Sequence, residues 1–105
     1  MGKTSQGVEI AEVKEGTLAA VGASPGTFMR GRFAFAVTGD FVGTGRLEQT
    51  FDNGTTWIPV CLADGSPREF TAPDRIVIDE PEAGIFYRFR VTARTSGTFK
   101  WRFAQ

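Results

Sequence analysis

A chain of 105 residues, 41% hydrophobic and 23% charged, holds one domain around a single core and has no room for a second. Twelve basic residues balance twelve acidic ones, so no global field draws the chain to nucleic acid or membrane; most of the cations are arginine, the residue suited to forked contacts with carboxylates. Histidine is absent and Cys61 is the single cysteine, which excludes a histidine-based catalytic site, a zinc centre and an intramolecular disulfide. The first twenty residues carry Glu9, Glu12 and Glu15 and lack the continuous apolar run of a signal peptide, and no stretch approaches a membrane-spanning helix. The expectation is a soluble protein made in a reducing compartment. A near-neutral surface does little to keep copies apart, so self-association is expected.

Period-two alternation runs through nearly the whole chain, and helical periodicity is scarce. Val8, Ile10 and Ala11 to Val13 form a first short strand candidate. Residues 16–27 are small and glycine-rich, which reads as an extended arm or loop with a short helix only at Leu18–Val21. Arg32 to Thr38 alternates cleanly, with Phe33, Phe35 and Val37 on one face, and Gly39-Asp40 marks a turn. Phe41 to Phe51 follows, with Leu47, Gln49 and Phe51 opposite Arg46, Glu48 and Thr50.

Asp52, Asn53 and Gly54 then form a corner. Asn53-Gly54 is the dipeptide that a type I′ turn asks for, because both central residues need positive φ, and Asp52 can accept hydrogen bonds from the turn's own N–H groups. Thr55 to Leu62 is the expected returning strand, with Trp57 as its large apolar body and Cys61 as a buried structural thiol. Residues 63–67 are a loop, Arg68 to Ala72 a short strand, Pro73-Asp74 a break and Arg75 to Asp79 a strand. After a turn at 80–84, Ile85, Tyr87, Phe89, Val91 and Ala93 alternate with Phe86, Arg88, Arg90, Thr92 and Arg94. Thr95-Ser96-Gly97 is expected to close a hairpin onto Phe99, Trp101 and Phe103, which alternate with Lys100, Arg102 and Ala104.

Seven or eight short strands broken by turns predict an all-β antiparallel sandwich, jelly-roll or Ig-like, able to hide a load of ten Phe, two Trp and one Tyr. The domain is expected over residues 28–105, preceded by an extended arm at 1–27. Paired-carboxylate chemistry has candidates in Asp52, Asp64 and Glu80, but all sit in predicted turns, where acids cap and solvate. Asp79, Glu80 and Glu82 offer oxygen ligands within four residues, yet Pro81 breaks the run and the spacing is not that of a calcium loop. The reading is a non-enzyme without metal or cofactor. The richest group is Arg88, Arg90, Arg94, Lys100 and Arg102, expected together on one face of the terminal hairpin with Phe86. Such cations bind phosphate or pair with acids such as Glu48 or Glu69, and the zero net charge favours pairing or an acidic protein surface.

Three resemblances bear on function. Thr50-Phe51-Asp52-Asn53-Gly54-Thr55-Thr56-Trp57 resembles the Asp-box, Ser-x-Asp-x-Gly-x-Thr-Trp, a structural hairpin corner of sialidases and other β-propellers; its single copy implies the corner and not the enzyme. Tyr87 to Ala93 resembles the penultimate strand of fibronectin type III domains, although the tryptophan expected early in that family is missing. From Phe33 onward, Gly43 to Asp52, Trp57-Ile58-Pro59-Val60, Glu82 to Arg88 and Ser96 to Arg102 together are similar to small β-sandwich virion proteins of tailed bacteriophages.

That last resemblance implies a virion structural protein, made in the bacterial host cytoplasm, that decorates or cements a capsid or sits in the tail. Its implied partners are capsid or tail subunits and further copies of itself, with a trimer suiting the local three-fold positions of a shell. The alternative is a tail-fibre, baseplate or carbohydrate-binding module that stacks sugars on Trp57, Trp101 or Tyr87. A fibronectin-like adhesion or linker domain is a third class.

Overall fold

The computed structural model describes residues 13–105. Ten strands lie within them, and no α-helix does. They are β1 (Val13–Leu18), β2 (Gly22–Ala23), β3 (Thr27–Phe28), β4 (Gly31–Thr38), β5 (Val42–Thr50), β6 (Ile58–Pro59), β7 (Glu69–Phe70), β8 (Asp74–Glu80), β9 (Phe86–Ser96) and β10 (Phe99–Ala104). The first sheet has the order β1-β10-β4-β8. The second has the order β2-β9-β5-β6, with β3 also pairing β9 and β7 also pairing β5. All pairings are antiparallel.

The fold is an all-β sandwich, as the alternation predicts. Its strands outnumber the expectation because two positions are each split in two. Ser24-Pro25-Gly26 separates β2 from β3, where proline removes a ladder donor, and the loop after Pro59 separates β6 from β7. With each split pair counted once, the first strand pairs the eighth, the second the seventh, the third the sixth and the fourth the fifth. That is an antiparallel ribbon rolled up on itself, the jelly-roll member of the two sandwich types expected.

Rolling the ribbon makes the chain change sheets where hairpins or an arm were expected. β9 lies in the second sheet and β10 in the first, so Thr95-Ser96-Gly97 does not close a hairpin but carries the chain across the sandwich. β4 and β5 are joined by a similar crossing beside it. The two are locked together, since Thr98 N–H donates to Asp40 Oδ1 at 3.2 Å. A Cβ on Gly97 (φ 80°) would run into the Asp40 carbonyl and approach Phe41 Cα to 2.8 Å; one on Gly39 (φ 111°) would run into the Thr98 carbonyl. Only glycine fits that backbone and that spacing.

The expected boundary between arm and domain at residue 27 is also displaced. β1 pairs with β10 from Val13↔Ala104 to Leu18↔Phe99, and β2 and β3 pair with β9, so residues 13–28 belong to both sheets. Leu18–Val21 is the end of β1 and a bend rather than a helix. The remainder of the predicted arm, and most of the strand candidate at Val8–Val13, lie outside the described residues.

Inward-facing rings fill the space between the sheets. Phe33, Phe35, Phe70, Phe89, Phe99 and Phe103 are fully buried, with Tyr87, Trp101 and Phe41 nearly so. Several ring pairs join one sheet to the other: Phe33 to Tyr87 at 4.8 Å, Phe35 to Phe89 at 5.4 Å and Phe35 to Phe70 at 5.3 Å. Burial of this kind stabilises by roughly 1.5–3 kcal/mol per large side chain, which a fold without a disulfide depends on. Phe41 stacks on Phe99 at 4.2 Å from within the crossing. No helix among the described residues is long and apolar enough to cross a membrane.

Candidate functional site

The Asp52 corner forms as the local sequence dictates. Asn53 (φ 61°) and Gly54 (φ 92°) occupy the left-handed region, and Thr55 N–H closes the turn on the Asp52 carbonyl at 3.4 Å. Thr50 Oγ1 donates to Asp52 Oδ1 at 2.7 Å and accepts from Gly54 N–H at 3.0 Å, while Thr56 N–H donates to Asp52 Oδ1 at 2.8 Å. The Thr56 amide, followed by the Thr50 hydroxyl, holds the Asp52 carboxyl below the usual carboxylate range. Asp52 Oδ1 and Thr50 Oγ1 are thus both used by the turn itself.

Past the corner, the expected long returning strand is only Ile58–Pro59, and the strand expected at Arg68–Ala72 is only Glu69–Phe70. Cys61 is therefore not a buried structural thiol. It is exposed in a loop, bridged to Pro67, where no partner sheet covers it. Phe51, expected to share a face with Leu47, instead lies beyond the end of β5 and is exposed.

Trp57 turns to the outer face of the second sheet rather than into the core. There the Arg88 guanidinium lies 4.2 Å from the centre of its ring. Arg88 also grips Glu48 at 2.7 Å, and Arg46 holds the other Glu48 oxygen at 2.8 Å. Glu48 points away from the core yet is only 2% exposed, because the two arginines cover it. Burial alone pushes its carboxyl up, but the hydrogen bonds and charges of Arg88 and Arg46 outweigh burial and hold it below the usual range. The expected pairing with Glu48 is therefore present through Arg88 alone of the five cations, and Arg46 is its second partner.

One row further on, Phe86 sits between Phe28 on β3 and Thr50 on β5. Phe28 meets Phe86 edge-on at 5.6 Å and is itself 49% exposed. Trp57, Phe86, Gly26, Thr50 and the corner line a shallow groove of about 250 Å³. The outcome is an aromatic ridge, Phe28–Phe86–Trp57, rigidly backed by the Arg88–Glu48–Arg46 triad. Phe28 was not singled out beforehand, since it adjoined the presumed arm and only the pairing of β3 with β9 brings it to Phe86.

The remaining cations do not join that face. Lys100 and Arg102 lie on β10, whose outer side is the far surface of the sandwich, so the five expected together are split between opposite faces. Arg94 turns back to donate its Nε–H to the Gly97 carbonyl at 2.8 Å and serves the crossing. Arg90 stays on the ridge side, opposite Arg46. The split follows from β9 and β10 belonging to different sheets, which alternation within each strand does not reveal.

The acids named as possible ligands or catalysts are likewise dispersed. Asp64 is engaged with the hydroxyl and then the amide of Ser66, which lower its pKa. Glu80 accepts from Tyr87 Oη at 2.7 Å and from Glu82 N–H at 3.1 Å. Among the described residues no three of the metal-ligating types gather at one point. Of the proposed sugar platforms, Tyr87 and Trp101 are buried in the core, which leaves Trp57 with one ring face under Arg88. A larger cleft of about 500 Å³ opens at the sandwich edge between β1 and β3, lined by Lys14, Glu15, Phe28, Met29 and Trp101 among others. Comparison of the chain with protein-family models, with curated proteins and with solved structures returns no match.

Proposed function

We propose that this chain is a virion structural protein of a tailed bacteriophage, a capsid decoration or cement subunit that binds the outer shell through protein–protein contacts. It acts as a shaped surface and not as an enzyme. The observation that carries the reading is the ridge of Phe28, Phe86 and Trp57 with Arg88 stacked on Trp57. Aromatic residues and arginine are the types that dominate protein interfaces, and here they are preorganised on a stiff sheet, so little ordering is lost on binding. The sequence resemblance to small phage sandwich proteins supplies the shell as partner. Ser96-Gly97-Thr98, part of that resemblance, is here in the crossing between sheets.

The test is co-sedimentation of the purified chain with shells assembled from the major capsid protein of the phage that encodes it. Saturable binding is expected. Phe28→Ala, which alters a half-exposed side chain outside the core, is expected to keep the fold and weaken binding by about tenfold or more. Failure to bind shells, together with absence of the chain from purified virions by mass spectrometry, overturns the reading. Binding to tails and not to heads selects the tail-module alternative.

A further inference from the structure

The edges of the two sheets differ in how they end. The second sheet is bordered by strands of two residues each, too short to template another chain. The first sheet is bordered on one side by β1, six residues long with Gly16 near its middle, and on the other by β8. β8 runs seven residues, Asp74 to Glu80, without proline and in unbroken register with β4. Val77 is 53% exposed at its centre. The Arg75 amide donates to the side chain of Asp74 at 2.7 Å, which marks it as facing away from β4. By alternation the backbone groups of Val77 and Asp79 face the same open edge.

We propose that this edge pairs antiparallel with the β8 of a second copy, on a two-fold axis through Val77. The sequence around that residue is self-complementary. Val77 meets Val77, Ile76 meets Ile78, and Arg75 meets Asp79 of the second copy, with the reciprocal pair on the other side of the axis. Arg75, Val77 and Asp79 are also the residues whose backbone groups face outward. The register that matches the charges is thus the register that forms hydrogen-bonded pairs, the Arg75 amide exchanging the Asp74 side chain for the Asp79 carbonyl of the second copy. Among the described residues neither Arg75 nor Asp79 takes part in an ion pair within its own chain.

The flanking positions would bring Asp74 against Glu80, but both acids are already engaged. Asp74 pairs with Arg68 at 3.0 Å, and Glu80 accepts from Tyr87 and the Glu82 amide. A two-fold axis through the centre of β1 gives no such match, since it opposes Lys14 to Thr17 and Glu15 to Gly16. The contact is isologous and closes at a dimer, so it does not build the trimer expected from shell geometry. It uses the edge opposite to β3 and leaves Phe28 and Phe86 uncovered. The proposal is independent of the virion reading, because it is tested in free solution without any particle.

Light scattering coupled to size-exclusion chromatography, at tens of micromolar chain, is expected to give the mass of a dimer. Arg75→Asp places like charges opposite each other at both symmetric positions and is expected to raise the dimer dissociation constant about tenfold or more. Arg75→Asp combined with Asp79→Arg restores the opposite-charge pairs and is expected to return the dimer. Should circular dichroism show Arg75→Asp unfolded, Val77→Lys, on the exposed side of the same strand, takes its place. A monomeric or trimeric wild type, a dimer indifferent to these changes, or a double variant that stays monomeric overturns the proposal.

Discussion

Glu48 and Tyr87 show how single side chains on opposite faces of one sheet are fixed by their partners. Glu48→Gln removes the charge and leaves Arg46 and Arg88 to share a single amide oxygen, so it is expected to cost about 1–3 kcal/mol at neutral pH in urea denaturation. The Glu48 carboxyl is held below its ordinary range in the folded protein. Its contribution is therefore complete above the unfolded pKa and is lost as pH falls through the lower folded value. The gap between wild type and variant should accordingly narrow at acid pH. Tyr87 is pushed the other way, first by burial and then by its hydrogen bond to Glu80. Its raised pKa stabilises the fold below the unfolded tyrosine value, a contribution lost as pH rises beyond it. As the chain's one tyrosine, it is a clean optical probe. Phenolate absorbance should stay flat past about pH 10, where free tyrosine titrates, and rise only with unfolding.

Strand connections, more than strand interiors, set the fold at the level of its elements. The crossings through Gly39 and Gly97 interlock, and Arg94 and Asp40 tie them with hydrogen bonds. Gly97→Ala combines a left-handed backbone with a collision against Asp40 and Phe41. It is expected to lower stability by about 2 kcal/mol or more in thermal or urea unfolding. Gly54, where an added Cβ would come no closer than 3.9 Å to Trp57, faces only the backbone strain and should tolerate alanine better. The Asp52 corner was legible because all its determinants lie within seven residues. The crossings were not, since Ser-Gly-Thr serves a hairpin and a sheet change equally well and long-range packing decides between them.

For the molecule as a whole, residues 13–28 are part of the sandwich. Removing residues 1–24 strips β1 from β10 and β2 from β9, and uncovers Trp101 and Phe103 along the sheet margin. The truncated chain is expected to lose its cooperative thermal transition and near-ultraviolet circular dichroism, in contrast to the autonomous domain expected from an arm at 1–27. Retention of a sharp transition would show that the remaining strands suffice.

The sequence by itself determined the all-β class, the inward set Phe33, Phe35, Val37, Tyr87, Phe89, Val91, Phe99, Trp101 and Phe103, and the geometry of the Asn53-Gly54 corner. These depend on period-two alternation and on backbone preferences of neighbouring residues, both local properties. Only the tertiary structure decided that β9 and β10 part company, that the terminal cations divide between two faces, that Cys61 is exposed, and that Phe28 reaches Phe86. Alternation tells which side of a strand faces the core but not which sheet the strand joins. That choice is made by contacts between residues far apart in the chain.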